Sequence, residues 1–201
     1  MNNKQQNELT FWQNLIGGMS WEDYMTHRRW DLNYHLTAYK GECVLDKGAG
    51  LEIGTGAFSM LEFVKGNNPI IGLDPLAVEY RSILQQPNRR VCVIPVETER
   101  LPYEDASWDW VVCWNVIDHT PDPDLMLAEI KRVLVPGGKL YLHVQFDDIL
   151  VEACHYSVWR QGDIDNRVKP VFPNVTFENI IPRPEYNQQM YYGVFTKWSR
   201  L

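Results

Sequence analysis

The sequence predicts an α/β fold: a doubly wound, mostly parallel seven-stranded sheet that ends in a C-terminal antiparallel hairpin. Three observations predict it. Short apolar runs alternate with helical stretches from residue 50 to 146, the pattern of βαβ units whose sheet is covered on both faces. A glycine turn, Gly54-Thr55-Gly56, follows the first of these runs. Two β-rich runs, Val175 to Ile181 and Met190 to Trp198, close the chain around a turn at Pro182 to Gln189 and should pair antiparallel.

Residues 1–40 read as two helices, Asn7 to Leu15 and Trp21 to Tyr39, broken at Gly17-Gly18. Ser20 is placed as the N-cap of the second, with Asp23 in the capping-box position. Their aromatic residues cannot share one face of a single helix, so two helices are the simpler account, set before a core spanning 41–201. Leu51 to Ile53 is a strand and Ser59 to Val64 a helix. Pro69 to Leu73 is a strand, and Pro75 to Leu84 is a helix opening on proline. Val91 to Val96 and Trp108 to Trp114 are strands. Asp122 to Leu134 is an amphipathic helix with a stripe of Leu125, Leu127, Ile130, Val133 and Leu134. Pro136-Gly137-Gly138 stops it before a strand from Lys139 to Phe146, and an insertion at Asp147 to Pro170 follows.

Composition narrows the function. A length of 201 residues suits one domain, and 45% hydrophobic with 22% charged residues is ordinary globular usage. A formal charge of -7 repels phosphate backbones, so the partner expected is a small molecule and not a nucleic acid. Cys43, Cys92, Cys113 and Cys154 form no CxxC, so neither a metal site nor a disulfide framework is expected. The first twenty residues carry no apolar signal core and no membrane-length apolar run follows, so the expected location is the cytoplasm. Oligomeric state is not legible.

Gly54 and Gly56 allow positive φ and close approach of a ligand to backbone. A rival loop, Asp46-Lys-Gly-Ala-Gly50, lies just upstream. Asp74, the acid ending the next strand, is 22 residues beyond Glu52 but 28 beyond Asp46. A crossover of roughly 20 residues is usual, which favours the later loop. Asp74 can accept from ribose hydroxyls, and before Pro75 it can equally cap a helix.

The stretch Val96-Glu-Thr-Glu-Arg-Leu-Pro-Tyr, the Ser107-Trp-Asp109 entry to the next strand, Cys113-Trp-Asn-Val-Ile-Asp-His119 and the Pro-Gly-Gly turn follow in order. Together with the glycine loop, this segment of about residues 50–147 resembles the class I S-adenosylmethionine-dependent methyltransferases, small Rossmann-like enzymes. The resemblance implies S-adenosyl-L-methionine as cofactor, S-adenosyl-L-homocysteine as product, and O- or N-methylation of a small acceptor. It implies that Glu52 orients the loop and approaches the methionine ammonium, and that Gly54, Thr55 and Gly56 supply backbone contacts. Asp74 would take the ribose, Pro75 and Leu76 would flank the adenine, Glu97 and Thr98 would meet its edge, and Asn115 would sit by the methionine portion. Phe58 stands where the family often has a third glycine, and should pack under the loop or narrow the cofactor mouth.

His119, just after the fourth strand, is the candidate general base, since histidine titrates near neutrality. Bracing that loop is the other role open to it. His143 is expected to be a satisfied core histidine. The resemblance implies that the helices of residues 1–40 form a lid; Arg28, Trp30 and Tyr34 from them, and His155 and Tyr156 after the fifth strand, are candidates for the acceptor pocket. Two other readings remain: a non-catalytic cofactor-binding or partner subunit, and a nicotinamide-dependent reductase.

Overall fold

A computed structural model of the protein describes residues 1–83, 89–146 and 154–198. Helices α1 (Asn3–Gly17) and α2 (Trp21–Ala38) precede the sheet. Then come β1 (Gly50–Ile53), β2 (Ile70–Leu73), α3 (Ala77–Ile83), β3 (Cys92–Ile94), β4 (Trp108–Trp114) and α4 (Pro123–Val133). Finally β5 (Leu134–Phe146), β6 (Asn174–Arg183) and β7 (Gln188–Thr196) complete one sheet in the order β3-β2-β1-β4-β5-β7-β6. β1 to β5 run parallel, and β7 inserts antiparallel between β5 and β6. The doubly wound sheet and its terminal hairpin are thus as the periodicity predicts. Among the described residues no helix is long and apolar enough to cross a membrane.

Alternation along β4 separates two cores. Val111 and Cys113 face α4 and the helical stretch 161–171, where Trp159, Ile164 and Phe172 are buried. Trp110, Val112 and Trp114 face α2 through Leu32, Ala38 and Tyr39. This period of two is the strand's own geometry. A third cluster, containing Leu9, Tyr24, Phe58, Leu76 and Tyr80, joins α1 and α2 to α3 and the glycine loop.

Three local expectations change. Ser59 to Val64 forms only a four-residue 3-10 turn, Met60–Phe63. Ser59 Oγ accepts from Leu61 N–H, Val64 returns to extended backbone, and the Glu62 carboxylate is drawn aside to the N–H groups of Arg90 and Val91. The stripe of α4 is Met126, Leu127, Ile130 and Val133, whereas Leu125 is 47% exposed. At 100° per residue, Leu125 and Leu127 point to nearly opposite sides, so they cannot share a stripe. β5 starts at Leu134, so Pro136-Gly137-Gly138 lies within the strand. Leu84 and residues 147–153 of the insertion lie outside the described residues.

The two leucines make a paired test. Leu127→Ala should cost about 2–5 kcal/mol of stability, the range for emptying a buried leucine site. Leu125→Ala should stay within about 0.5 kcal/mol, as for an ordinary surface position. Urea denaturation midpoints measure both, and comparable losses would refute the assigned face.

Candidate functional site

The carboxyl ends of β1, β2 and β4 open into a cavity of about 430 Å³, within the size range of small-molecule sites. Its floor is the glycine loop, Asp74 to Leu76, Glu97 to Glu99 and Asn115 to Val116. α1 covers it with Gln5, Glu8, Phe11 and Trp12, and α2 with His27, Arg28, Asp31 and His35. Residues 1–40 therefore sit over the site as a cover.

Gly54 and Gly56 take φ of +70° and +59°, the region that favours glycine. A Cβ on Gly54 would stand 2.3 Å from a Val116 methyl, and one on Gly56 would stand 2.4 Å from the Trp12 ring. The loop's N–H groups are turned inward. Those of Gly54 and Thr55 donate to the Leu73 carbonyl at 2.8 and 3.3 Å. Gly56 N–H donates to Asp74 Oδ2 at 2.9 Å. The family of such loops that cradles pyrophosphate needs those donors and a following helix N-terminus. Here the donors are engaged and a 3-10 turn replaces the helix, leaving carbonyl and carboxylate acceptors for a ligand.

Asp74 stands at the turn into α3 with its carboxylate in the cavity. Its Oδ1 accepts from Leu76 N–H at 2.9 Å while the carboxylate lines the cavity, and each oxygen keeps a lone pair for a hydroxyl donor. Burial, opposed by its two backbone donors and reinforced by the charges of Glu8 and Glu52, pushes its pKa up to about 7. Glu52 is buried behind the loop and does not line the cavity. Ser59 Oγ, at the end of the loop, donates to it. Burial pushes Glu52 up to about 7. The expected approach of Glu52 to the ligand is not part of this geometry.

Pro75, Leu76, Glu97 and Thr98 all line the cavity, and Gln5 donates to Glu97 at 3.1 Å. Asn115 lines it with left-handed backbone, φ +56°, a conformation uncommon outside glycine and enriched at functional sites. Phe58 is buried beneath the loop against Tyr24 and Trp21, so it does not narrow the mouth. Trp12 does so instead, from α1.

His119 lines the cavity, but its surroundings disfavour a base. Its Nδ1 lies 3.4 Å from Glu8 Oε2 and its Nε2 lies 3.9 Å from Asp118 Oδ1. Burial works against its charged form, yet hydrogen bonds to Cys154 and Glu8 and the charges of Asp118 and Glu8 outweigh it. The pKa is pushed up to about 11. Glu8 and Asp118 thus favour the protonated ring, which suits bracing this loop better than taking a proton.

Of the acceptor candidates, Arg28 and Tyr156 line the cavity. Arg28 donates to the Phe58 carbonyl at 2.8 Å and stacks over Trp12. Trp30 and Tyr34 do not line it: they stack on each other at 5.5 Å, with Trp30 60% exposed. His155 is buried behind the wall, with Nε2 3.6 Å from Asp118. Sequence reasoning missed Glu8, Trp12, Asp31, Gln145 and Met190, for which no motif exists, and it placed His143 in the core. His143 is buried but reaches the cavity, stacks on Tyr192 at 4.5 Å, and donates from Nδ1 to the Tyr191 carbonyl at 3.0 Å. Its Nε2 is therefore an acceptor, and burial pushes its pKa down to about 4. His35, stacked on Trp114 at 4.8 Å, is likewise held neutral by burial and by the neighbouring His143 and Arg28.

Residues 51–142 match the family model described as a methyltransferase domain. The chain is 31% identical to malonyl-[acyl-carrier protein] O-methyltransferase of Erwinia billingiae, over 71% of this chain and 54% of that protein. It is also 31% identical to tRNA U34 carboxymethyltransferase of Campylobacter curvus, over 54% of this chain and 36% of that one. It spans between 31% and 54% of the length of four curated relatives that it matches. By shape it superposes on the Haloferax volcanii methyltransferase solved with the Trm112 activator, with TM-score 0.72, 18% identity, and 96% and 97% of the two chains covered. That likeness shows the fold.

One expectation is overturned. Net charge pointed away from nucleic acid, yet several relatives are tRNA U34 carboxymethyltransferases, so nucleic acid is not excluded as a partner. Overall charge measures the long-range field of the whole chain and says little about the few groups that meet a substrate. The ordered motifs, the sheet order and the family match lead to one assignment: residues 51–142 form a methyltransferase domain of the class I S-adenosylmethionine-dependent type.

Proposed function

We propose that this protein transfers the methyl group of S-adenosylmethionine to an oxygen or nitrogen of a small acceptor. The observation that carries this reading is the cavity floor. Its loop N–H groups are engaged internally, so it offers acceptors to a cationic, hydroxyl-bearing ligand and no anion cradle for a dinucleotide. S-Adenosylmethionine supplies an activated methyl group on sulfur, so the chain's task is alignment and exclusion of water. Asp74 holds the ribose hydroxyls. Pro75 and Leu76 flank the base, with Glu97 and Thr98 at its edge, and Glu52 keeps the loop in place through Ser59.

The small-acceptor reading rests on the cover. α1 and α2 leave one end of the cavity between Asp31, His35, Trp114, His143 and Gln145. His143 Nε2 offers a neutral acceptor there for an O–H or N–H of the methyl acceptor. Losing one such hydrogen bond removes about 1 kcal/mol, so His143→Ala should raise the acceptor KM by about five- to tenfold. Binding of S-adenosylhomocysteine should change less than twofold. Equal weakening of both would mean that His143 supports the fold only.

Calorimetric titration with S-adenosylhomocysteine and with NADH tests the cofactor, and binding of NADH alone would refute the proposal. Labelled donor, offered with a panel of small acids and amines and separately with bulk tRNA, tests the acceptor. Label appearing in tRNA would overturn the small-acceptor reading. Donor binding with no transfer to either would favour a non-catalytic partner subunit.

A further inference from the structure

Three side chains with metal-binding chemistry converge beside the cavity, although 35 residues of sequence separate the first from the second. One ring nitrogen of His119, the Sγ of Cys154 and one ring nitrogen of His155 lie within 4.8 Å of one another. His119 ends the 3-10 turn Ile117–His119 that leaves β4, and the other two follow β5. Cys154 and His155 are 6% and 4% exposed. The Asp118 carboxylate faces both rings, 3.9 Å from His119 Nε2 and 3.6 Å from His155 Nε2.

His119 has the environment of a ligating histidine. Its Nδ1 lies 3.4 Å from Glu8 and its buried Nε2 has no hydrogen-bond partner among the described residues, so the cation would take the place of a ring proton that Glu8 and Asp118 favour. A carboxylate on one ring nitrogen fixes the orientation of the other toward a metal. We propose that His119, Cys154 and His155 form a binding site for a zinc-class divalent cation, with the Asp118 carboxylate beside both rings.

The donor set selects the metal. A thiolate with two imidazoles suits Zn²⁺, and a set containing sulfur does not suit Mg²⁺ or Ca²⁺. Thiolate and carboxylate together neutralise the dication in a buried place. Tetrahedral zinc with bonds of about 2.0–2.3 Å spaces its donors about 3.3–3.8 Å apart, so the widest pair among His119, Cys154 and His155 must close by about 1 Å. Cys154 lies in the insertion, Glu8 belongs to α1, and Lys4 donates to the His155 carbonyl, so the cation would tie the cover to the sheet edge. The site is independent of the methyl-transfer reading.

The full chain, stripped with chelator, should bind one equivalent of Co²⁺ with a thiolate-to-cobalt absorption band, and one equivalent of Zn²⁺ should displace it. Cys154→Ser should abolish the band, and His155→Ala should weaken binding at least about tenfold. Cys92→Ser, at an exposed thiol, should leave the band unchanged. Circular dichroism checks the fold of each variant. If Cys154→Ser does not fold, the wild-type band with the His155→Ala titration decides. No saturable binding, or a band that survives Cys154→Ser, overturns the site and leaves a Glu8–His119–Asp118 ion-pair network.

Discussion

Gly54→Ala is expected to weaken S-adenosylhomocysteine binding by about 100-fold, the scale for displacing a site by about 1 Å. Two independent costs meet at this residue. A φ of +70° disfavours any side chain by about 1–2 kcal/mol. The new methyl would also stand 2.3 Å from Val116 Cγ2. Val116 is β-branched and short, so it has little rotamer freedom with which to withdraw. The loop must shift instead, carrying Thr55 and Gly56 away from the Leu73 carbonyl and Asp74. Calorimetry measures the loss, and circular dichroism separates it from unfolding. A change of less than about threefold in a folded variant would show that the loop does not form the cofactor floor.

Binding of S-adenosylmethionine should strengthen about tenfold per pH unit from pH 5 to 7 and level off above, the limit in which one ionised group is required. Asp74 sets this window. Its ordinary value of 3.8 is pushed up to about 7 in the folded chain, so between these values the folded protein holds a proton that the unfolded chain has released. The contribution of Asp74 to the ligand-free fold is therefore fully present below about pH 4 and is lost as pH rises toward 7. Glu52, also raised to about 7, acts in the same direction. The ligand reverses the preference, because ribose hydroxyls bond best to the ionised carboxylate and the cationic donor favours it. The thermal shift caused by ligand should grow with pH through this range while the ligand-free melting temperature contribution falls. Asp74→Asn should flatten the profile. A pH-independent affinity in the wild type would remove Asp74 from the binding face.

Much of this site was legible because its parts are local. Alternating apolar periods announced the strands, Pro182 to Gln189 announced the hairpin turn, and the distance from Glu52 to Asp74 chose between two glycine loops. The place of Asp74, at the turn into α3 and on the cavity, followed from its position before Pro75. The three-dimensional approach of distant segments was not legible. Leu125 was assigned to the buried face of α4 because a count of apolar residues ignores the arc that they subtend.

His119 shows the difference most clearly. Read alone, it is a histidine near neutrality at the edge where ligands bind. Glu8, 111 residues earlier in the chain, lies 3.4 Å from it and favours its charged form, and nothing in either local pattern announces the pairing. The same holds for Trp12 over Gly56 and for Cys154 beside His119. What the sequence by itself determined was the order of strands and the place of the cofactor loop, because backbone periodicity and turn chemistry act over a few residues. Which side chains are charged, which face the ligand and which meet at a metal-binding distance was decided only by the tertiary structure. Burial and Coulomb interactions depend on distance through space, and folding sets that distance without regard to separation along the chain.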